Sequence, residues 1–168
     1  MKKFSSLLLA SLAVLAVAQS PTTEGTRGRG VAVAPESRIG NFRFEVVRAS
    51  LNDRTRLVGG LTFFQVGRPA ANVRPVEIRL ENAVDLKVVD NKATFGGRAI
   101  MLVSTTNNQV RRIPGRLQVA VTDSRKPGDP STGTAVDTFA LRFVNPEANI
   151  SFDFAGHVKE GDLAVFKK

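Results

Sequence analysis

From Ile39 to the end of the chain, apolar residues recur at every second position. Phe42, Phe44 and Val46 alternate with Arg43 and Glu45, and Val76, Ile78 and Leu80 with Glu77 and Arg79. Ala93, Phe95, Gly97, Ala99, Met101 and Val103 share one parity. The pattern continues through Leu117, Val119 and Val121, through Phe139, Leu141 and Phe143, and through Ile150, Phe152 and Phe154. Successive side chains of a strand point to opposite faces, so this period puts an apolar row on one face and Arg, Glu, Thr and Gln on the other. Shorter runs at Leu61–Phe63, Val84–Val88 and Leu163–Val165 bring the total to about nine strands. They are punctuated at Gly59-Gly60, Asp90-Asn91, Asn107-Asn108, Pro127-Gly128, Asn145-Pro146 and Glu160-Gly161. No window outside the first residues shows a helical apolar stripe.

One wet face and one packed face is the pattern of antiparallel sheets. The expected fold is therefore all-β: an antiparallel two-sheet β-sandwich, or a flattened barrel, closed over Phe44, Phe63, Ile78, Phe95, Leu117, Val119, Phe139, Leu141 and Phe152. The aromatic inventory agrees with a dry core. There are 11 Phe and no Tyr or Trp, and a phenyl ring needs no buried hydrogen-bond partner.

The first residues follow another rule. Lys2 and Lys3 precede an apolar run from Leu7 to Leu15, and Ala16-Val17-Ala18 supplies small residues before Gln19. This predicts a secretory signal peptide over 1–18. The run is too short for a bilayer span of about 20 residues. Residues 19–38 are polar and Gly-rich and predict a flexible tail, with Val31-Ala32-Val33-Ala34 as a short edge strand. Residues 39–168 then form one domain. No Cys follows the signal, which excludes disulfides, thiolate metal sites, Cys nucleophiles and a lipid-anchored Cys. The expected location is extracytoplasmic, in the periplasm, the cell envelope or the medium of a bacterium.

Three groups of residues could carry chemistry. Asp123, Asp129 and Asp137 flank or sit in one long loop, where carboxylates and carbonyls could converge on Ca²⁺. Arg125 and Lys126 in that loop oppose a cation, and Asx-type capping by Asp123 and Asp137 explains the same residues. Second, Arg outnumbers Lys 16 to 6 beyond residue 18. Arg43, Arg79, Arg116 and Arg142 have the polar parity of their strands, and Arg111 and Arg112 precede one. If those strands share an outer face, it is a surface for an anionic envelope polymer, with Glu45, Glu77, Glu81 and Asp153 as the competing cross-strand partners. Without Tyr or Trp platforms, specific nucleic-acid binding is not expected. Third, His157 lies near Asp153 and Glu160, but no nucleophile motif accompanies this lone His, which reads as a surface residue. The Asn149-Ile150-Ser151 sequon falls in a strand pattern and is given no role.

Several segments together resemble a known family. Lys92-Ala93-Thr94-Phe95-Gly96-Gly97-Arg98-Ala99, Leu117-Gln118-Val119-Ala120-Val121-Thr122-Asp123, Lys126-Pro127-Gly128 and Asp137-Thr138-Phe139-Ala140-Leu141-Arg142 resemble the bacterial post-COAP-1 module. Its pattern runs A-x-F-x-G, F-x-V-x-V-x-D-x-G-E-P-G and D-x-F-x-I-x-I. Phe42-Arg43-Phe44 and Gly60-Leu61-Thr62-Phe63 resemble its opening strands, and Gly156 to Phe166 its closing hairpin, so the resemblance spans about residues 39–166. Here Ser124-Arg125-Lys126 replaces x-G-E before Pro-Gly, and Phe63 stands where Tyr is common. The resemblance implies an extracytoplasmic all-β module without assigned catalytic activity.

The expectation is thus an exported, non-enzymatic interaction or structural module without a cofactor, Ca²⁺ aside, whose partner is an anionic polymer or another envelope protein. The alternatives are a secreted carboxylate-dependent hydrolase and a ligand-carrying β-barrel.

Overall fold

A computed structural model describes residues 21–52, 54–67, 74–104, 109–124 and 136–168. The predicted signal peptide and Asp129 lie outside the described residues. Among the described residues nine strands are present: β1 (Thr22–Ala34), β2 (Arg38–Leu51), β3 (Arg54–Gln65), β4 (Val76–Leu80), β5 (Asp85–Val89), β6 (Lys92–Ser104), β7 (Val110–Thr122), β8 (Thr138–Asn145) and β9 (Ile150–Lys167). A single 3-10 turn at Pro35–Ser37 is the only helical element among the described residues.

Every ladder is antiparallel, and the strands follow one another as β4-β3-β2-β1-β9-β8-β7-β6, with β4 also pairing β6. That last pairing closes eight strands into a barrel, and β5 hangs from β6 as a ninth. Of the two expected all-β forms, the barrel is present and the two-sheet sandwich is not: there is one continuous sheet, and closure removes all but short free edges. The break between β4 and β5 shows how closure is achieved. Both lie along the same side of β6, with Leu80 opposite Ala99 and Asp85 opposite Gly96. Four residues, 81–84, therefore face two on β6, and this excess turns the chain. β4 stays with β3 while β5 leaves it. Ala83 N–H to the Gly59 carbonyl and Val84 N–H to the Gly96 carbonyl, both 2.8 Å, hold the bend. Val84, expected in an apolar row, is 71% exposed at this corner.

The flexible tail expected over 19–38 is overturned. Its main part is β1, a central strand of 13 residues between β2 and β9. Its inward positions are small: Thr26, Gly28, Ala32 and Ala34. They are small because β2 fills the space in front of them with Phe42, Phe44 and Val46, so the strand lacks the bulky apolar row by which strands are read. Buried Thr26 donates its hydroxyl to the Ala164 carbonyl at 3.0 Å. Nor is there a closing hairpin at Glu160-Gly161. β9 runs unbroken for 18 residues, with Gly161 at φ +108 and a register shift against β1 near Val31. A Cβ on Gly161 would stand 2.1 Å from the Arg29 carbonyl oxygen, so two backbones meet there. The turn residues Asp90 (φ 52) and Asn149 (φ 50) take the left-handed conformation that short polar side chains tolerate.

The lumen is filled. Phe139 stacks on Phe42 with ring centroids 4.5 Å apart and touches Phe44, Phe63 and Phe154 at 5.9–6.4 Å. Ile78, Phe95, Val119 and Phe143 are fully buried around them. Of the expected core, all are buried except Phe152, which packs against it half-exposed.

Candidate polyanion interface

Register decides which outward side chains meet. On the outer wall, Arg29 of β1 lies directly opposite Arg43 of β2. Arg43 is opposite Thr62 of β3, and Thr62 opposite Arg79 of β4. Arg79 is opposite Ile100 of β6, and Arg98, two residues away on the same face, lies directly opposite Arg116 of β7. Gln118, two beyond Arg116, is opposite Arg142 of β8. Six exposed arginines thus form a band across seven strands, each within one direct or diagonal step of the next except at Thr62.

The band runs through two grooves. The first, about 710 Å³, lies across β1–β4 and β9. Its one rim is the row Arg29, Arg43, Thr62 and Arg79, and its other is Arg27, Glu45, Gly60 and Glu81. Between them runs the backbone of the inward row Gly28–Phe44–Leu61–Leu80. Gly60 has no room for a side chain: a Cβ there would stand 2.2 Å from the Leu80 carbonyl oxygen, so the backbones of β3 and the end of β4 meet closely at that point. The second groove, about 850 Å³, holds Arg98, Arg116, Gln118 and Arg142, and its wall is the 81–84 bend with Asp85. Glu81 lines both grooves.

Carboxylates reach part of the band. Glu77 Oε1 accepts from Arg79 Nε at 2.5 Å. By that hydrogen bond and its charge Glu77 holds the Arg79 guanidinium above its ordinary range, with Glu81 adding to it against a small desolvation cost. Arg142 Nε lies 3.6 Å from Asp153 Oδ1 across the β8–β9 ladder. Asp162 is opposite Arg29 on β9, and Glu45 opposite Arg27 on β2. The Arg29–Arg43 and Arg98–Arg116 pairs are the exceptional feature, because like charges directly opposite each other on one face repel.

Of the six arginines singled out from the sequence, Arg43, Arg79, Arg116 and Arg142 are in the band. Arg111 and Arg112 are not. Arg112 is opposite Leu102, four residues along β7 from Arg116, and Arg111 lines a smaller groove of about 460 Å³ with Arg74 at the end of the barrel. Arg29 was missed because its segment read as a tail. Arg98 could have been found, since it has the parity of the polar Thr94 in a strand read correctly.

The other candidates resolve differently. Asp137 is buried and its Oδ1 accepts from the Ser124 N–H at 2.9 Å. Asp123 Oδ2 accepts from the Val165 N–H at 3.2 Å, tying the loop base to β9. Both carboxylates serve backbone groups, and no cluster of three metal-ligating side chains occurs among the described residues. His157 is exposed, paired with Thr138 and Val33 on the neighbouring strands, and Asp153 four residues away engages Arg142. No protein-family model, no curated protein and no solved structure matches this chain.

Proposed function

We propose that this protein is an exported, non-enzymatic β-barrel of a bacterial envelope or its surroundings that holds an anionic polymer on its arginine-lined outer wall. The observation that carries the reading is the two arginine pairs, Arg29–Arg43 and Arg98–Arg116, set directly opposite each other in separate grooves. In the free protein each pair is an electrostatic cost, offset at Arg29 by Asp162 on its other side. An anionic group lying between two guanidiniums converts that cost into two charge-assisted hydrogen bonds, and the planar fork of Arg suits phosphate oxygens. The signal-like first residues support export to an extracytoplasmic setting, in keeping with the resemblance to post-COAP-1 modules. A ligand carried inside the barrel is the weaker reading, because phenylalanine rings occupy the lumen. The hydrolase reading is weaker too, because the carboxylates of the first groove, Glu45, Glu81 and Asp162, stand among arginines.

Heparin-affinity chromatography tests the proposal. Retention at low salt should be lost near roughly 0.3 M salt, where the Debye length falls to about 5–6 Å. Arg43→Glu combined with Arg98→Glu should elute earlier while melting no lower than the parent. Retention indifferent to that double reversal overturns the reading.

A further inference from the structure

Resting on that reading, we infer that the ligand is a flexible, linear phosphate polymer that winds around the barrel, engaging both arginine pairs with one chain. The argument is geometric. From Arg29 to Arg142 the band makes six steps between neighbouring strands, two of them diagonal by two residues. At about 4.8 Å between strands and about 3.3 Å per residue along them, the path is roughly 35 Å. An eight-stranded barrel of ordinary tilt is only about 16 Å across its backbone, so this path turns around most of a narrow cylinder.

A ligand that touches both pairs must bend with that curve. Duplex DNA, with a persistence length of about 150 base pairs, meets a convex wall along a short tangent and reaches one groove at a time. A single flexible chain of phosphates can follow the wall. The charges on the band define its track. Arg29, Arg43 and Arg79 form one rim of the first groove, with Asp162 beyond Arg29 and Glu77 on Arg79 at its two ends, whereas Glu45 and Glu81 stand on the other rim. The chain therefore lies along the Arg29 rim, passes Glu81 on its far side and enters the second groove between Arg98 and Arg116. Engaging two grooves with one chain makes the second contact intramolecular, which raises affinity without any new contact.

The test is a binding series at fixed low salt with labelled inorganic polyphosphates, compared at equal phosphate concentration. The probes are tripolyphosphate, a chain long enough to cover the path, and a much longer chain. Affinity should rise by at least about 100-fold from tripolyphosphate to the chain that covers the path, and change little beyond it. Arg43→Gln or Arg98→Gln alone should abolish most of that gain, whereas Arg112→Gln, outside the band, should leave both the gain and tripolyphosphate binding within a few-fold of the parent. A short duplex DNA of matched charge should bind no tighter than tripolyphosphate. If tripolyphosphate binds as well as the longer chains, or the duplex matches them, the winding inference is overturned and the anion-binding reading stands. If none of these polyanions binds, both are overturned.

Discussion

Gly28 of β1 lies directly across the ladder from Phe44 of β2, and the Phe44 ring occupies the place a larger residue at 28 would need: a Cβ there would come within 2.8 Å of the ring. The glycine is required by volume, since its φ is not in the left-handed region. Gly28→Val should overpack this site and cost about 1–3 kcal/mol in urea unfolding. In a Phe44→Leu background the same change should cost much less. Equal costs in the two backgrounds would mean that the ring is not what excludes the side chain.

Phe139 sits at the centre of the ring stack, fully buried among four other phenylalanines. Phe139→Ala should cost about 3–5 kcal/mol through the cavity left in the lumen. Phe152→Ala, at a half-exposed position, should cost clearly less. Reversed magnitudes in chemical denaturation would contradict this packing.

Arg98 and Arg116 repel each other in the free protein. Arg116→Gln should therefore stabilise it by about 0.2–1 kcal/mol at low salt, an unusual sign for a surface truncation. The gain should shrink as salt screens the pair. Arg142→Gln, which removes an exposed contact at 3.6 Å to Asp153, should change stability little. Thermal melts across a salt series separate the two behaviours, and a loss of stability in Arg116→Gln would remove the repulsion argument.

Asp137 is buried and accepts the Ser124 amide. Asp137→Ala strands that N–H and should cost about 1–3 kcal/mol, whereas Asp137→Asn keeps an acceptor and should cost less. Denaturation in the presence and absence of a chelator should give the same ranking.

Arg48 pins the ninth strand. One guanidinium nitrogen reaches Glu24 at 2.6 Å and the other donates to the Leu86 carbonyl on the free side of β5. Arg48→Ala should lower the local opening free energy of β5 by about 1–3 kcal/mol, read as faster amide exchange at Leu86 and Val88 with β7 and β8 unchanged. Uniform acceleration across the barrel would show that β5 is not an independent unit.

The reach of the sequence follows from what period two can and cannot encode. Where the inward row is bulky, as at Phe42–Phe44 or Leu117–Val121, alternation locates both the strand and its buried face. It fails at β1, whose inward row is small because its neighbour's rings are large; that information lies in β2, not in β1. Nine strands are expected and nine are present among the described residues, but β1 is added and the last two expected strands merge into β9. Gly59-Gly60 and Glu160-Gly161 punctuate the sequence yet lie inside β3 and β9, since a glycine chosen for close backbone approach looks the same as one chosen for a turn. The choice between sandwich and barrel stayed open, because closure rests on a four-against-two mismatch between residues 81–84 and β6. The outward parity of Arg43, Arg79, Arg116 and Arg142 was legible. That Arg29 faces Arg43, and Arg98 faces Arg116, is a matter of register, which alternation alone leaves open.

One seam of the barrel pairs its first strand with its last: Thr23 and Lys168 exchange two backbone hydrogen bonds at 2.9 and 2.7 Å, at the head of the β1–β9 ladder. In time this seam is a latch that arrives last. Until β9 has been synthesised, β1 and β8 each present an open edge, and the contact that shuts them spans almost the whole chain, a topology that folds slowly. This order keeps the chain from completing its barrel early. It also incurs a hazard: a copy cut short before β9 would carry two unpaired edges into whatever compartment it reached.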